Sequence, residues 1–198
     1  MPESHLITGP MWANKTTRLI SLIETNVIMQ KKCLVVLHAA DKRYNSDACL
    51  QTHLKVCQGV SITVCDGTFV NVVRCSKLSE INNDVDNYDS VFIDEGHFFP
   101  DICEFFQQWF QKINIYISAL NSDYKNEVIP SIALLSVWVD KVKRLAGCCA
   151  VCTKASRCTQ LTITAEPRDM EEGIGGAEKY QPVCLGCYLD AHSNKVIE

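Results

Sequence analysis

Short apolar runs alternate with amphipathic segments from the start of the chain to about residue 145. The apolar runs are bounded by turn residues and predict β-strands at residues 5–9, 33–39, 60–65, 90–94 and 113–120. Apolar positions at helical spacing predict helices at residues 16–32, 100–113 and 131–145. This order predicts an α/β fold, a parallel sheet with helices on both faces, which binds its ligands beyond the carboxyl ends of the strands.

The composition of the chain changes near residue 145. Two cysteine pairs, "CAVC" and "CLGC", enclose a strand and a polar loop that contains glycines. We therefore predict two domains, an α/β domain over residues 1–145 and a small cysteine-containing domain over residues 146–198.

Composition and charge narrow the class of protein. The chain has 198 residues, of which 47% are hydrophobic and 21% are charged, so it can bury a core. A net charge of -4 gives no reason to expect a nucleic-acid partner. No apolar run is long enough to span a bilayer, and the first residues lack the pattern of a signal peptide, so we expect no membrane association and a cytoplasmic location. The 12 cysteines then indicate reduced thiols and metal ligands.

The segment "LITGPMWANKTTRL", residues 6–19, has the outline of a phosphate-binding loop. Gly9 and Lys15-Thr16 have the spacing of G-x-x-x-x-G-K-[ST], but Asn14 replaces the second glycine. Alone this pattern is often a coincidence; between a strand and a helix, it aims backbone N–H groups and a helix N-terminus at phosphate. Lys15 would then neutralise phosphate charge and Thr16 would bind Mg²⁺. We expect Asn14 to be tolerated, because asparagine enters the left-handed region readily.

An acidic pair, Asp94-Glu95, follows the fourth predicted strand. An acid at a strand end suits a magnesium contact, and its neighbour can accept a proton from an attacking hydroxyl. An isolated pair of this kind is usually a solvated acidic turn, but the upstream phosphate loop favours the functional interpretation. The pattern assigns no role to His97.

The two cysteine pairs predict a zinc site. Four thiolates, Cys149, Cys152, Cys184 and Cys187, can surround Zn²⁺ at ~2.3 Å and leave no open coordination position, so the metal would be structural. Cys148 competes for the first ligand position, although the two-residue spacer favours Cys149. A redox role for one pair is the alternative, and it does not explain why there are two.

Together these motifs resemble the type II thymidine kinases. "GPMWANKTT" is similar to the family's GPMFSGKST, "DKRY" to DTRY, "DEGHFFPDI" to DEGQFFPDI and "IGGAEKYQPVC" to IGGADKYHSVC, which together span nearly the whole chain. The resemblance implies a P-loop domain, a structural zinc, a "lasso" loop over the nucleoside and a homotetramer. It also implies transfer of the γ-phosphoryl group of ATP to the 5'-hydroxyl of thymidine.

The resemblance further implies roles for individual residues. Glu95 would be the general base, Asp94 would help hold Mg²⁺, and Arg43 would stabilise charge on the transferring group unless it forms only a surface ion pair. The residues implied to bind ATP and its metal are Gly9, Pro10, Met11, Trp12, Ala13, Asn14, Lys15, Thr16, Asp41, Arg43, Asp94 and His97. Those implied to bind the nucleoside are Met11, Phe98, Leu120, Tyr124, Thr159, Glu171, Glu172, Gly173, Ile174, Gly175 and Tyr180.

The sequence departs from the family pattern at several positions. Asn14 replaces a glycine, His97 replaces a glutamine, and "ALNSDY" replaces ALDGTF, so that Tyr124 stands for a phenylalanine. An active enzyme is the favoured interpretation, because Lys15, Thr16, Arg43 and the acidic pair are all present. A catalytically silent, nucleotide-binding member with a regulatory role and a purely structural zinc-ribbon protein are the alternatives.

Overall fold

A six-stranded parallel sheet forms the centre of the protein in a computed structural model, which describes residues 1–40, 70–161 and 179–193. The strands are β1 (Ser4–Gly9), β2 (Cys33–His38), β3 (Val70–Cys75), β4 (Ser90–Ile93), β5 (Asn114–Leu120) and β6 (Lys141–Arg144). Their order is β3-β2-β4-β5-β1-β6, and every neighbouring pair is parallel. The predicted fold class is therefore confirmed.

Helices cover both faces of the sheet. In the described residues between β1 and β6, the helices are α1 (Lys15–Ile28), α2 (Ile102–Trp109) and α3 (Pro130–Trp138). Short 3₁₀ turns lie at Leu78–Ile81, Val85–Asn87 and Gly96–Phe98. Alternate strand residues point to opposite faces, so Ile7 joins the core under α1 while Leu6 joins the core under α2 and α3. Both faces are apolar, as in a buried parallel sheet.

One predicted element, the helix over residues 131–145, differs in the structure, and one strand of the sheet was not predicted. The predicted helix 131–145 ends at Trp138, because Val139 is extended and the chain continues as edge strand β6 beside β1. Asp140 fixes this change of direction, since its carboxylate accepts hydrogen bonds from the backbone N–H and the hydroxyl of Ser4. Strand β3 was not predicted, and the predicted strand at 60–65 lies outside the described residues.

The C-terminal segment forms two small antiparallel sheets and a helix. β7 (Gly147–Cys148) pairs with β8 (Ala155–Ser156), β9 (Cys158–Leu161) pairs with β10 (Tyr180–Val183), and α4 covers Leu185–Ser193. Its apolar core contains buried Val183 and Tyr188 packed among cysteines. Across residues 1–40, 70–161 and 179–193, no helix is both long and apolar enough to cross a membrane.

Candidate active site

The carboxyl ends of β4, β5 and β1 lie side by side at one edge of the sheet. β1 ends at Gly9 and leads into the loop before α1, whereas β4 leads directly into the acidic pair that starts at Asp94. Ligands bind at this edge in parallel sheets because the connecting loops and helix N-termini converge there. Two motifs that are far apart in the sequence therefore face the same space.

The loop from Gly9 to Asn14 has a backbone shape that depends on particular residues. A Cβ atom at Gly9 would lie 2.6 Å from the carbonyl oxygen of Leu145, so only glycine fits without a shift of the backbone. Asn14 is the N-cap of α1 and has φ 58° and ψ 32°, in the left-handed region. Its exposed side chain forms no capping bond to the described part of the helix, so Asn14 contributes its backbone conformation.

The first two residues of α1 point their polar groups into the site. Lys15 is buried, and its Nζ donates a hydrogen bond of 2.8 Å to the carbonyl oxygen of Pro10. The hydroxyl of Thr16 lies 3.3 and 3.2 Å from the two carboxylate oxygens of Asp94, which is also buried. A hydroxyl and a carboxylate in contact are the type of oxygen donors that Mg²⁺ binds beside a nucleotide phosphate.

Glu95 occupies a constrained turn after β4. Its backbone has φ 50° and ψ 44°, an uncommon conformation for a residue with a side chain. The next residue, Gly96, has no room for a side chain, because a Cβ there would lie 2.7 Å from Cγ2 of Ile117. His97 is packed beside them, with its Nδ1 3.6 Å from Oε2 of Glu95 and 3.4 Å from the backbone N of Leu120. The carboxylate of Glu95 is thus held at the strand edge in a largely buried environment.

A second cluster lies in the C-terminal segment. The Sγ atoms of Cys149, Cys152, Cys184 and Cys187 all lie within 4.8 Å of one another, and those of Cys152 and Cys184 are 3.6 Å apart. Tetrahedral zinc with Zn–S distances near 2.3 Å needs sulfurs roughly 3.8 Å apart, so the cluster fits this ion with a small contraction. Exposed Cys148 instead lies 3.3 Å from the carbonyl oxygen of Thr153. The predicted preference for Cys149 over Cys148 agrees with this geometry.

The surroundings of the cluster favour a thiolate at Cys149. Burial raises the pKa of Cys149, but the backbone N–H groups of Cys152, Cys184 and Val151 stabilise the charged form and lower this pKa to about 6. Hydrogen bonding to the sulfur of Cys184 raises the pKa of Cys187 to about 12. Thiolates are the form that binds zinc.

Comparisons with known proteins agree with this geometry. A sequence model of the family described as thymidine kinase matches residues 3–188. The chain belongs to the thymidine kinase family. It is 33% identical over 190 residues to "Thymidine kinase" of Acanthamoeba polyphaga mimivirus, covering 96% of this chain and 82% of that protein. It is 30% identical over 188 residues to "Thymidine kinase 1" of Dictyostelium discoideum, covering 93% and 76%, and 34% identical over 187 residues to "Thymidine kinase" of Sheeppox virus (strain KS-1), covering 93% and 96%.

Several residues that the family resemblance assigns to the nucleoside lie near the active-site edge. The backbone N–H of Met11 in the phosphate loop donates a hydrogen bond of 3.0 Å to the hydroxyl of Thr159 in β9. Tyr124 and Tyr180 face each other with ring centroids 6.3 Å apart. Residues Asp41, Arg43 and the segment 171–175 lie outside the described residues.

His38 is a site neighbour that the sequence did not indicate. It ends β2, and its ring lies 5.5 Å from that of Phe98 and 4.9 Å from that of Phe99. The signal that could have found it is its position, since a polar residue at the carboxyl end of a buried parallel strand lies where such sheets bind ligands. The close approach of the Leu145 carbonyl oxygen to Gly9 could not be predicted, because no residue pattern in the sequence indicates it.

Proposed function

We propose that this protein transfers the γ-phosphoryl group of ATP to the 5'-hydroxyl of thymidine, giving dTMP and ADP for nucleotide salvage in DNA synthesis. The observation that carries this proposal is the contact between Thr16 and Asp94. It brings the phosphate loop and the acidic pair together in a chain that belongs to the thymidine kinase family. The choice of thymidine as substrate rests on relatives that are named thymidine kinase. The choice of phosphoryl transfer rests on the residues of the site.

The loop between β1 and α1 would bind the ATP phosphates. Its backbone N–H groups and the positive end of α1 attract the anion, and Lys15 would exchange its bond to Pro10 for one to phosphate. Thr16 and Asp94 would hold Mg²⁺, which when bound neutralises charge on the phosphate oxygens. The wider set proposed to bind ATP, from the resemblance, is Gly9, Pro10, Met11, Trp12, Ala13, Asn14, Asp41 and Arg43.

Glu95 would act as the general base. As the 5'-oxygen of thymidine forms its bond to the γ-phosphorus, the hydroxyl proton passes to the carboxylate of Glu95, and the bond to the β-phosphate oxygen breaks to release ADP. Burial of Glu95 beside His97 limits its contact with water, which favours transfer from the substrate hydroxyl. Arg43 is proposed, from the resemblance alone, to stabilise the charge that spreads over the transferring group.

The nucleoside pocket is proposed to lie between the phosphate loop and the C-terminal segment. The bond from Met11 to Thr159 and the pairing of Tyr124 with Tyr180 support a wall formed by both parts of the chain. Phe98 and Leu120 complete the proposed wall, and the segment 171–175 would close over the base. Zn²⁺ on the four cysteines would fix the two ends of the polar loop that contains this segment.

Other features of the family stay proposals. They are the homotetramer, the absence of nucleic-acid and membrane partners, the cytoplasmic location, and the division into domains at residues 145 and 146. A silent member is the less favoured alternative, because Lys15, Thr16, Asp94 and Glu95 are all in place. A protein built only around its zinc ribbon would not need the six-stranded sheet or its phosphate loop.

The test is the transfer of labelled phosphate from ATP to thymidine by the purified protein. Lys15→Ala, purified in parallel, controls for contaminating kinases because it removes the charge that binds phosphate. We expect labelled dTMP from the wild type and at least a 10²-fold loss of turnover, roughly the value of one preorganised charge, in Lys15→Ala. ATP binding without any transfer to thymidine would contradict the proposal and support the silent alternative.

A further inference from the structure

We propose that His97 is a positioning residue for the reaction: a hydrogen bond at the end of β5 fixes its ring, and the fixed ring limits where the carboxylate of Glu95 can lie. This inference rests on the proposed function, since it gives Glu95 the role of general base. It also separates His97 from the group of residues that the family resemblance places on ATP.

The contacts of the His97 ring carry the proposal. Its Nδ1 accepts a hydrogen bond of 3.4 Å from the backbone N–H of Leu120, at the last residue of β5. The same atom lies 3.6 Å from Oε2 of Glu95, which follows β4. The side chains of His97 and Glu95 are only 8% and 11% exposed, so both lie largely out of the solvent and have little room to move apart. The bond from Leu120 therefore fixes the ring at the end of β5, where the ring packs against the carboxylate of the proposed base.

The surrounding structure restricts the movement of the ring. His97 lies in the 3₁₀ turn Gly96–Phe98, and the backbone N–H of Phe98 bonds to the carbonyl oxygen of Glu95 at 2.9 Å. The rings of His97 and Phe98 have centroids 4.2 Å apart, and Phe98 in turn packs near His38. A ring held between a backbone N–H and an aromatic neighbour is suited to orienting a carboxylate.

The distance from His97 to Glu95 fits a positioning role. At 3.6 Å the contact is longer than a hydrogen bond, so it limits where the carboxylate can lie without occupying its oxygen. These contacts of His97 are with Glu95 and Phe98 in the turn after β4 and with Leu120 at the end of β5. They therefore place the ring beside the proposed base, whereas the phosphate loop follows β1.

Two substitutions of similar shape separate the polar atom from the bulk of the side chain. Asparagine and leucine both branch at Cγ, but only asparagine puts a polar atom where Nδ1 lies. His97→Asn should keep the contact with the N–H of Leu120, whereas His97→Leu should lose it. Because misplacing a catalytic group by about 1 Å costs up to ~10²-fold, we expect kcat to fall about tenfold or more in His97→Leu and less than about threefold in His97→Asn.

The experiment is steady-state phosphorylation of thymidine by the full-length zinc-loaded protein, with thermal unfolding of each variant as a folding control. We expect the ATP KM to stay within about twofold in both variants, because the phosphates bind elsewhere. In a Glu95→Gln background, His97→Leu should lower kcat little further, since its effect passes through Glu95. If His97→Leu does not fold, His97→Ala is measured in the same way.

Three results would overturn the inference: wild-type kcat in His97→Leu, equal losses in the asparagine and leucine variants, or a rise in the ATP KM with kcat unchanged. The last result would make His97 an ATP-binding residue. Failure of the proposed function looks different, because the wild type would then not phosphorylate thymidine, or Glu95→Gln would keep its kcat.

Discussion

Asn14 allows a sharp test of how the phosphate loop keeps its shape. It has φ 58° and ψ 32° at the start of α1, its side chain is exposed, and it forms no capping bond to the described residues. Replacing it therefore changes backbone preference and little else. We compare Asn14→Gly, which accepts this conformation freely, with Asn14→Val, in which a β-branched side chain strongly opposes it.

The magnitudes follow from the cost of the left-handed region. That cost is about 1–2 kcal/mol for an ordinary L-residue, and asparagine avoids part of it. For Asn14→Gly the relief of the remaining strain is offset by the greater freedom of glycine in the unfolded chain, so the free energy of unfolding should change by less than about 1 kcal/mol. For Asn14→Val we expect a loss of about 1–2 kcal/mol, which lowers the Tm by about 2–8 °C in a chain of this size.

The assay combines thermal unfolding with the ATP KM for thymidine phosphorylation. If the strain of Asn14→Val is relieved by distortion of the loop, the same 1–2 kcal/mol appears as an increase of about 5- to 30-fold in the ATP KM. Asn14→Gly should keep the KM within about threefold of the wild type. A valine variant with wild-type Tm and KM would refute the conformational argument. A glycine variant that gains activity absent from the wild type would show that the natural loop has decayed.

Three further predictions concern the loop, the metal and pH. Gly9→Ala should lower the free energy of unfolding by about 1–3 kcal/mol and weaken ATP binding, because its Cβ would meet the carbonyl oxygen of Leu145; denaturant unfolding measures the first effect. Metal analysis should find one zinc per chain in Cys148→Ser and a loss of zinc in Cys149→Ser, and equal zinc contents would contradict the assigned ligands. Burial raises the pKa of Asp101, but hydrogen bonds from the backbone N–H groups of Ser79 and Leu78 outweigh burial, and the net pKa is lowered. The ionised carboxylate therefore stabilises the folded state at pH values above about 4, the pKa of Asp in the unfolded chain. Asp101→Asn should therefore lose about 0.5–1.5 kcal/mol at pH 7, and the difference from the wild type should shrink as pH falls below about 4; a pH-independent difference in urea unfolding would exclude this linkage.

The sequence predicted the features that follow from local pattern. Continuous apolar runs identified β1, β2, β4 and β5, because strands buried on both faces need apolar side chains throughout. β3 was missed because Val70–Cys75 contains Asn71 and Arg74, which interrupt its apolar pattern. β6 was assigned to a helix because helical spacing continues past Trp138, and the contact of Asp140 with Ser4 that redirects the chain is 136 residues away in sequence.

The candidate site divides in a similar way. Spacing indicated the cysteine pairs, whereas Lys15 and the acidic pair were indicated by their residue pattern together with their positions after predicted strands. The left-handed backbone of Glu95 and the link from His97 to Leu120 depend on how two strand ends meet. Such contacts leave no local pattern, so only the family resemblance gave His97 a role, and it placed His97 with ATP.

The most direct test of the proposed mechanism is the kcat of Glu95→Gln for thymidine phosphorylation, with ATP affinity measured separately. This change keeps the shape of the side chain and removes the proton acceptor. We predict that kcat falls about 10²- to 10⁴-fold, the usual contribution of a general base, while the ATP dissociation constant stays within about threefold. A Glu95→Gln protein that retains kcat within about threefold of the wild type would contradict the proposed role of Glu95, because such a loss is far smaller than a base contributes.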